Sequence, residues 1–163
     1  MIDLIDYKDT KYPYFQSQGN AAQFTIPFAK QLCKGHGYDI GCKKVEWAFP
    51  GAVPVDPLID PDLDAFNLPD EEVDYIFSSH CLEHLYDWVE ALNYWWTKIK
   101  KGGIIYLYLP DFSQKYWRPW NNRQHFHVLT PEVLHAYFND KGAVTILKSG
   151  VDLNSSFTIV AEK

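Results

Sequence analysis

The sequence predicts an α/β fold, an open and mostly parallel sheet flanked by helices and closed by a C-terminal antiparallel strand pair. Three observations predict it. Strand-like apolar runs alternate with helix-period segments between residues 38 and 109. The run 103–109 (G-I-I-Y-L-Y-L) is apolar without alternation, as in a parallel strand covered on both faces. Two alternating runs, 144–148 and 157–160, end the chain.

Taken in order, residues 1–19 carry Tyr7, Tyr12, Pro13, Tyr14 and Phe15 without a period and read as an ordered but irregular lead-in. Asn20 is placed to cap a helix over 21–32, which Pro27 should kink. Short strands follow over 38–41 and 52–55, the second stopped by Asp56-Pro57, then a strand over 73–78. Leu85, Trp88, Leu92, Trp95 and Ile99 recur at steps of three and four, the single apolar stripe of a helix. Lys98, Lys100 and Lys101 suit its C-terminal dipole, and Gly102-Gly103 stops it before the 103–109 strand. This strand-helix-strand unit should be a right-handed crossover. Thr130-Pro131-Glu132 combines a cap, an N1 proline and an early acid, and starts a helix running to about Asp140.

No repeat, low-complexity tract or linker divides the 163 residues, so one domain is expected over 1–163. Apolar residues make up 47% and charged residues 22%, a globular balance. Fifteen Lys and Arg against 21 Asp and Glu leave a net charge of −6, a poor match to a phosphate backbone, so no nucleic-acid partner is expected. No apolar run reaches the length of a membrane span and the first residues show no signal pattern, so neither a membrane nor export is expected. Cys33, Cys42 and Cys81 are odd in number and widely spaced, which favours free thiols in a reducing cytoplasm.

Ligands of open α/β sheets sit at the carboxyl ends of the strands. Those ends carry D-I-G-C (39–42), V-D (55–56), S-S-H (78–80) and P-D (110–111), with D-A-F-N-L-P (64–69) between the second and third. With V-D-Y-I-F-S-S-H-C-L-E-H (73–84) and K-K-G-G (100–103), their order and spacing resemble the Rossmann-like S-adenosylmethionine-dependent methyltransferases. The resemblance implies a methyl transferase that takes S-adenosylmethionine as cofactor. It also implies roles: Asp39, Gly41 and Cys42 beside the methionine part, Asp56 on the ribose hydroxyls, Asp64 and Ala65 at the adenine edge, and Ser79 and His80 along the other side.

Two departures stand out. The family continues D-x-G-x-G, whereas the second glycine position here holds Lys43. Only fifteen steps separate Gly41 from Asp56, too few for a crossover helix plus a strand, so the chain resembles a short-loop branch of the family. Residues 14–19 are placed to fold over the site in compensation. Lys43 also supports an alternative, a non-catalytic methyltransferase-like binding domain.

Segment 110–129 is long and aperiodic, the mark of a lid or binding loop. It offers Tyr116, Trp117 and Trp120 for stacking and Lys115, Arg118 and Arg123 for an anionic group. A small-molecule acceptor, a sugar or other polar metabolite, suits this mixture. His84, His125, His127 and Asp111 are the candidates for a base that takes the acceptor's proton. H-C-L-E-H (80–84) also matches H-x-x-E-H, a zinc-hydrolase pattern with two metal-binding histidines and a glutamate base, for which His125 or His127 offers a third ligand. That motif starts at a predicted strand end, not within a helix, and the resemblance accounts for L-E-H without metal. No metal is therefore expected, and a hydrolase using His80, Glu83 and His84 is the lesser alternative.

Overall fold

The computed structural model describes residues 3–7 and 9–163. Where the sequence reads as an irregular lead-in, β1 (Leu4–Tyr7) pairs antiparallel with β2 (Thr10–Pro13), and one helical turn follows, α1 (Tyr14–Ser17). These strands are too short to show a period. What anchors them is aromatic: Tyr12 is buried, with its ring 5.7 Å from Trp117, and accepts a 2.7 Å hydrogen bond from the Trp117 indole. Helix α2 (Ala22–Leu32) contains Pro27 and takes Ala21, not Asn20, at its cap position, with no side-chain capping bond.

The main sheet comprises β3 (Gly37–Ile40), β4 (Val53–Val55), β5 (Val73–Ser79), β6 (Ile99–Pro110), β7 (Val144–Lys148) and β8 (Ser156–Glu162). Its order is β4-β3-β5-β6-β8-β7. The first four strands are parallel; β8 runs antiparallel between β6 and β7. This is the mostly parallel sheet with a C-terminal antiparallel pair that the sequence predicts. A single 3-10 turn, Val45–Trp47, stands between β3 and β4, in keeping with the short-loop reading.

Helix α3 (Trp88–Lys98) is shorter than its apolar stripe. Asp87 caps it by accepting from the Glu90 amide at 2.9 Å, which leaves Leu85 in the preceding loop, and Ile99 already belongs to β6. Helix α4 (Pro131–Asp140) starts as predicted, with the Thr130 hydroxyl accepting from the Val133 amide. Each face of the sheet is covered. Leu92, Trp95, Leu134 and Phe138 pack with Ile76, Ile105 and Leu107 on one side. Ile26, Ala29 and Phe49 pack with Phe77 and Tyr106 on the other. Burial on both faces is why the β6 sequence shows no alternation. Segment 111–130 has one 3-10 turn, Lys115–Trp117, and otherwise only turns and irregular backbone. Among the described residues no helix is long and apolar enough to cross a membrane.

Candidate functional site

A cavity of about 460 Å³ lies at the carboxyl ends of β3, β4 and β5. The turn after β3 shapes its floor. Gly41 has φ +86°, and its amide donates to the Val55 carbonyl at 2.9 Å. A Cβ there would stand 2.6 Å from Cβ and Sγ of Cys81, so only glycine fits. Lys43, the residue in place of the family's second glycine, has φ +68°, and its amide donates to Asp56 Oδ2 at 2.8 Å. The Leu58 amide donates to Asp56 Oδ1 at 2.9 Å. Asp56 is thereby fixed at the cavity wall, and each oxygen keeps a lone pair for a ligand.

Asp39 also lines the cavity. It is buried, accepts from the Phe49 amide at 2.6 Å, and burial pushes its carboxyl up to about 7. Cys42 stands beside it, its thiol pushed up to about 12 by burial. At the end of β5, Ser79 and His80 complete this side, and the Ser79 hydroxyl is buried with no hydrogen-bond partner. His80 sits in left-handed backbone, φ +50°, the sort of strain that collects at functional sites. Its Nε2 lies 2.9 Å from the Ser156 hydroxyl, which also accepts from the Gln16 amide nitrogen at 2.9 Å. Gln16 ties α1 to β8 across the cavity, and Gln16 and Gly19 form part of its wall.

Asp64 and Ala65 do not line the cavity. Asp64 accepts from the Phe66 amide at 2.7 Å within its own turn, and the Ala65 carbonyl accepts from the Trp95 indole at 2.7 Å.

The far end of the cavity is rich in histidine. His84 Nδ1 lies 2.8 Å from the Gln124 carbonyl and His125 Nδ1 lies 2.8 Å from the Trp117 carbonyl. A carbonyl only accepts, so each ring carries a proton on Nδ1 and, in its neutral form, presents Nε2 as a lone pair. The rings meet edge to face at 4.6 Å. Beneath them Glu83 is 1% exposed, and neither carboxylate oxygen has a hydrogen-bond partner. Its Oε1 lies 3.7 Å from His84 Nε2 and 3.8 Å from His80 Nδ1. Burial pushes the Glu83 carboxyl up to about 7 and the His125 imidazole down to about 4. Two hydrogen bonds stitch the cluster together across the chain: the Phe126 amide donates to the Glu83 carbonyl at 2.9 Å, and His84 donates to Gln124.

Of the proposed bases, His84 and His125 therefore meet at the cavity. His127 and Asp111 do not line it but a smaller neighbouring cavity, which Glu83 and His125 also line; His127 Nε2 bonds the Tyr86 carbonyl at 2.9 Å, and Asp111 accepts from the Ser113 amide at 2.8 Å. Trp117 lines the main cavity, but Trp120 does not: it is 61% exposed, against Phe112 and Arg118. The H-x-x-E-H pattern does not form the helical histidine pair of the hydrolase signature. His80 ends a strand in left-handed backbone, and Leu82–His84 is one 3-10 turn. Sequence reasoning missed Tyr12, Asn20, Trp47, Asn122 and Gln124 as wall residues. Their amide and aromatic character was the only signal, and it has no local spacing.

The sequence matches the family described as "Methyltransferase domain" over residues 19–147. No curated protein sequence matches it. Among solved structures it is similar to an S-adenosylmethionine-dependent methyltransferase, possibly a histamine N-methyltransferase, from Thermotoga maritima, with 18% identity, TM-score 0.70, and 92% and 93% of the two chains covered. It is also similar to the N-methyltransferase NodS from Bradyrhizobium japonicum in complex with S-adenosylhomocysteine, with 14% identity, TM-score 0.61 and coverage of 92% and 88%. A further likeness is to an S-adenosylmethionine-dependent methyltransferase from Archaeoglobus fulgidus, with 16% identity, TM-score 0.62 and coverage of 90% and 94%. At these identities the structural likeness is one of fold.

Proposed function

This chain belongs to the methyltransferase domain family and is an S-adenosylmethionine-dependent transferase; from that premise we propose that its acceptor is a small polar molecule, a sugar or glycan-precursor hydroxyl, held at the histidine end of the cavity. One observation carries the reading. A single cavity joins the two carboxylates at the ends of β3 and β4 to His84 and His125, with Glu83 buried beside them, so a donor and an acceptor share one space.

The donor end fits the cofactor. Asp56 would hold the ribose hydroxyls with its spare lone pairs, and Asp39, Gly41 and Cys42 would flank the methionine part. The partnerless Ser79 hydroxyl and His80 would face it from β5. Asp64 and Ala65, proposed for the adenine edge, belong to the chain that follows Leu58, the wall residue on that side. Bound there, S-adenosylmethionine supplies an electrophilic methyl carbon for in-line displacement, and the protein's main contribution is to hold the partners in line. Tyr12, Gln16 and Trp117 enclose the acceptor end, and the Glu83, His84 and His125 cluster helps the acceptor release its proton. We further propose that residues 1–163 act as one domain without a nucleic-acid or membrane partner, in the cytoplasm, where the three free cysteines would stay reduced.

The test is binding and turnover. S-adenosylhomocysteine should raise the melting temperature, since a ligand that binds only the folded state stabilises it by mass action. His125→Ala should lower methyl transfer to a hydroxylated acceptor while leaving S-adenosylhomocysteine affinity nearly unchanged. No thermal shift at millimolar ligand would refute the donor site, and lost cofactor affinity in His125→Ala would refute the placing of the acceptor.

A further inference from the structure

We propose that Glu83, His84 and His125 form a binding site for a divalent transition-metal ion of the zinc class, with its open positions facing the acceptor end of the cavity.

The argument starts from Glu83. A buried carboxylate ordinarily has hydrogen-bond donors around it, because desolvation without compensation is costly. Glu83 is 1% exposed, and both its oxygens lack a partner. What surrounds it is a set of imidazole lone pairs. One ligand atom from each of Glu83, His84 and His125 lies within 4.8 Å of the other two, and Glu83 Oε1 is 3.7 Å from His84 Nε2. Two ligands about 2.0–2.1 Å from a tetrahedral zinc stand about 3.3 Å apart, so the Glu83–His84 pair closes by about 0.4 Å and the widest pair by at most about 1.5 Å.

The donor pattern points the same way. His84 and His125 each give their Nδ1 proton to a backbone carbonyl at 2.8 Å. Metal-binding histidines are held in this manner, with the outer nitrogen on a carbonyl and the inner lone pair on the ion. Behind Glu83, the Ser156 hydroxyl accepts from Gln16 and lies 2.9 Å from His80 Nε2. The Ser156 proton goes to the Asn154 carbonyl at 3.3 Å, so His80 donates to Ser156 from Nε2 and the neutral ring turns its Nδ1 lone pair toward Glu83 Oε1, 3.8 Å away. Two imidazoles and one carboxylate select a zinc-class ion over magnesium or calcium, which favour all-oxygen ligands. Three protein ligands also leave coordination open, as in catalytic sites. His84 and His125 line the cavity, so that opening faces the acceptor.

The sequence pattern leads elsewhere. It pairs His80 with His84, whereas the fold pairs His84 with His125, forty-one residues downstream. Its catalytic use rests on the transfer reading above. An acceptor hydroxyl bound to the ion has a lowered pKa. Its O–H bond then breaks with the electron pair left on oxygen and the proton passed to solvent water. Ion binding itself does not depend on that reading.

The experiment uses the full chain, stripped with chelator and titrated with Co²⁺ alone, with Zn²⁺ as competitor. The expected result is one Co²⁺ per chain with visible bands of a nitrogen- and oxygen-bound ion, displaced by Zn²⁺. His84→Ala and His125→Ala should each weaken binding by at least about 100-fold, beyond the 10- to 100-fold typical of losing an outer partner. S-adenosylhomocysteine binding checks that each variant is folded, and if Glu83→Gln does not fold, the two histidine variants carry the test. Absence of Co²⁺ binding to the wild-type chain overturns the proposal, as does affinity unchanged in both histidine variants. An intense sulfur-to-cobalt band would put the ion on Cys42 or Cys81 and overturn it equally. Co²⁺ binding without S-adenosylhomocysteine binding would overturn the transfer reading and leave the ion site standing.

Discussion

Replacing Asp56 with alanine probes both the architecture and the chemistry of the donor end. Its two carboxylate oxygens take the Lys43 amide at 2.8 Å and the Leu58 amide at 2.9 Å, so one side chain pins the turn after β3 to the turn after β4. Hydrogen bonds to a charged group contribute about 1.5–3 kcal/mol each. Both amides lie at a cavity wall, where water can reach them after truncation, so the stability loss should fall near the low end, about 3 kcal/mol for the pair. Ligand binding loses a further charged acceptor for the ribose hydroxyls, worth about 1.5–3 kcal/mol, or roughly 10- to 100-fold in affinity. Asp56→Asn keeps one acceptor oxygen and should lose about half of each effect. Urea denaturation reads the first quantity and calorimetric titration with S-adenosylhomocysteine reads the second. An alanine variant with wild-type stability and with affinity within about three-fold of wild type would refute the assignment of Asp56 to either role.

Two further predictions concern the same wall. Gly41→Ala meets a left-handed φ of +86° and Cys81 at 2.6 Å, whereas Gly51→Ala meets a φ of +89° with nothing within 4 Å. The second should cost about 1–2 kcal/mol of backbone strain, and the first about 1–3 kcal/mol more from overpacking, with S-adenosylhomocysteine binding lost; equal melting temperatures would contradict this. For pH, burial raises the folded Asp39 carboxyl from 3.8 to about 7, with neighbouring Asp56 adding to the rise. Between those values the folded chain keeps a proton that the unfolded chain releases, so stability falls as pH rises through this window and levels off above it. Glu83 slopes in the same direction, so the comparison that isolates Asp39 is Asp39→Asn, which should be flatter from pH 4 to 7 than wild type. Parallel stability profiles for the two proteins would show that Asp39 carries no such shift.

The fold was legible wherever a pattern is local. The unalternating 103–109 run, the α3 stripe and the Thr130-Pro131 start all lie within one element, and all three elements form with shifts of a few residues at their ends. The N-terminal hairpin was not legible, because Tyr12 is held by Trp117, 105 residues away, and not by any period of its own. The same limit applies to the histidine cluster. His84 and His125 are joined by hydrogen bonds between turn 82–84 and residues 124–126, a pairing of two irregular segments, while the one motif with regular spacing pairs His84 with His80 and offers His125 or His127 only as a third ligand.

Lys43 shows a different limit. As a side chain it breaks the D-x-G-x-G pattern and argues for a disabled site. As backbone it does what the glycine would do: it takes φ +68° and turns its amide onto Asp56. The left-handed conformation costs a residue with a Cβ about 1–2 kcal/mol. One hydrogen bond to a charged carboxylate contributes about 1.5–3 kcal/mol, enough to offset that cost. The Lys43 side chain stands clear of the turn, with its ammonium 5.7 Å from the centre of the Trp47 ring. A motif records side chains, but this turn needs only a conformation. The residue that most weakened the resemblance therefore preserves the geometry on which the donor end depends.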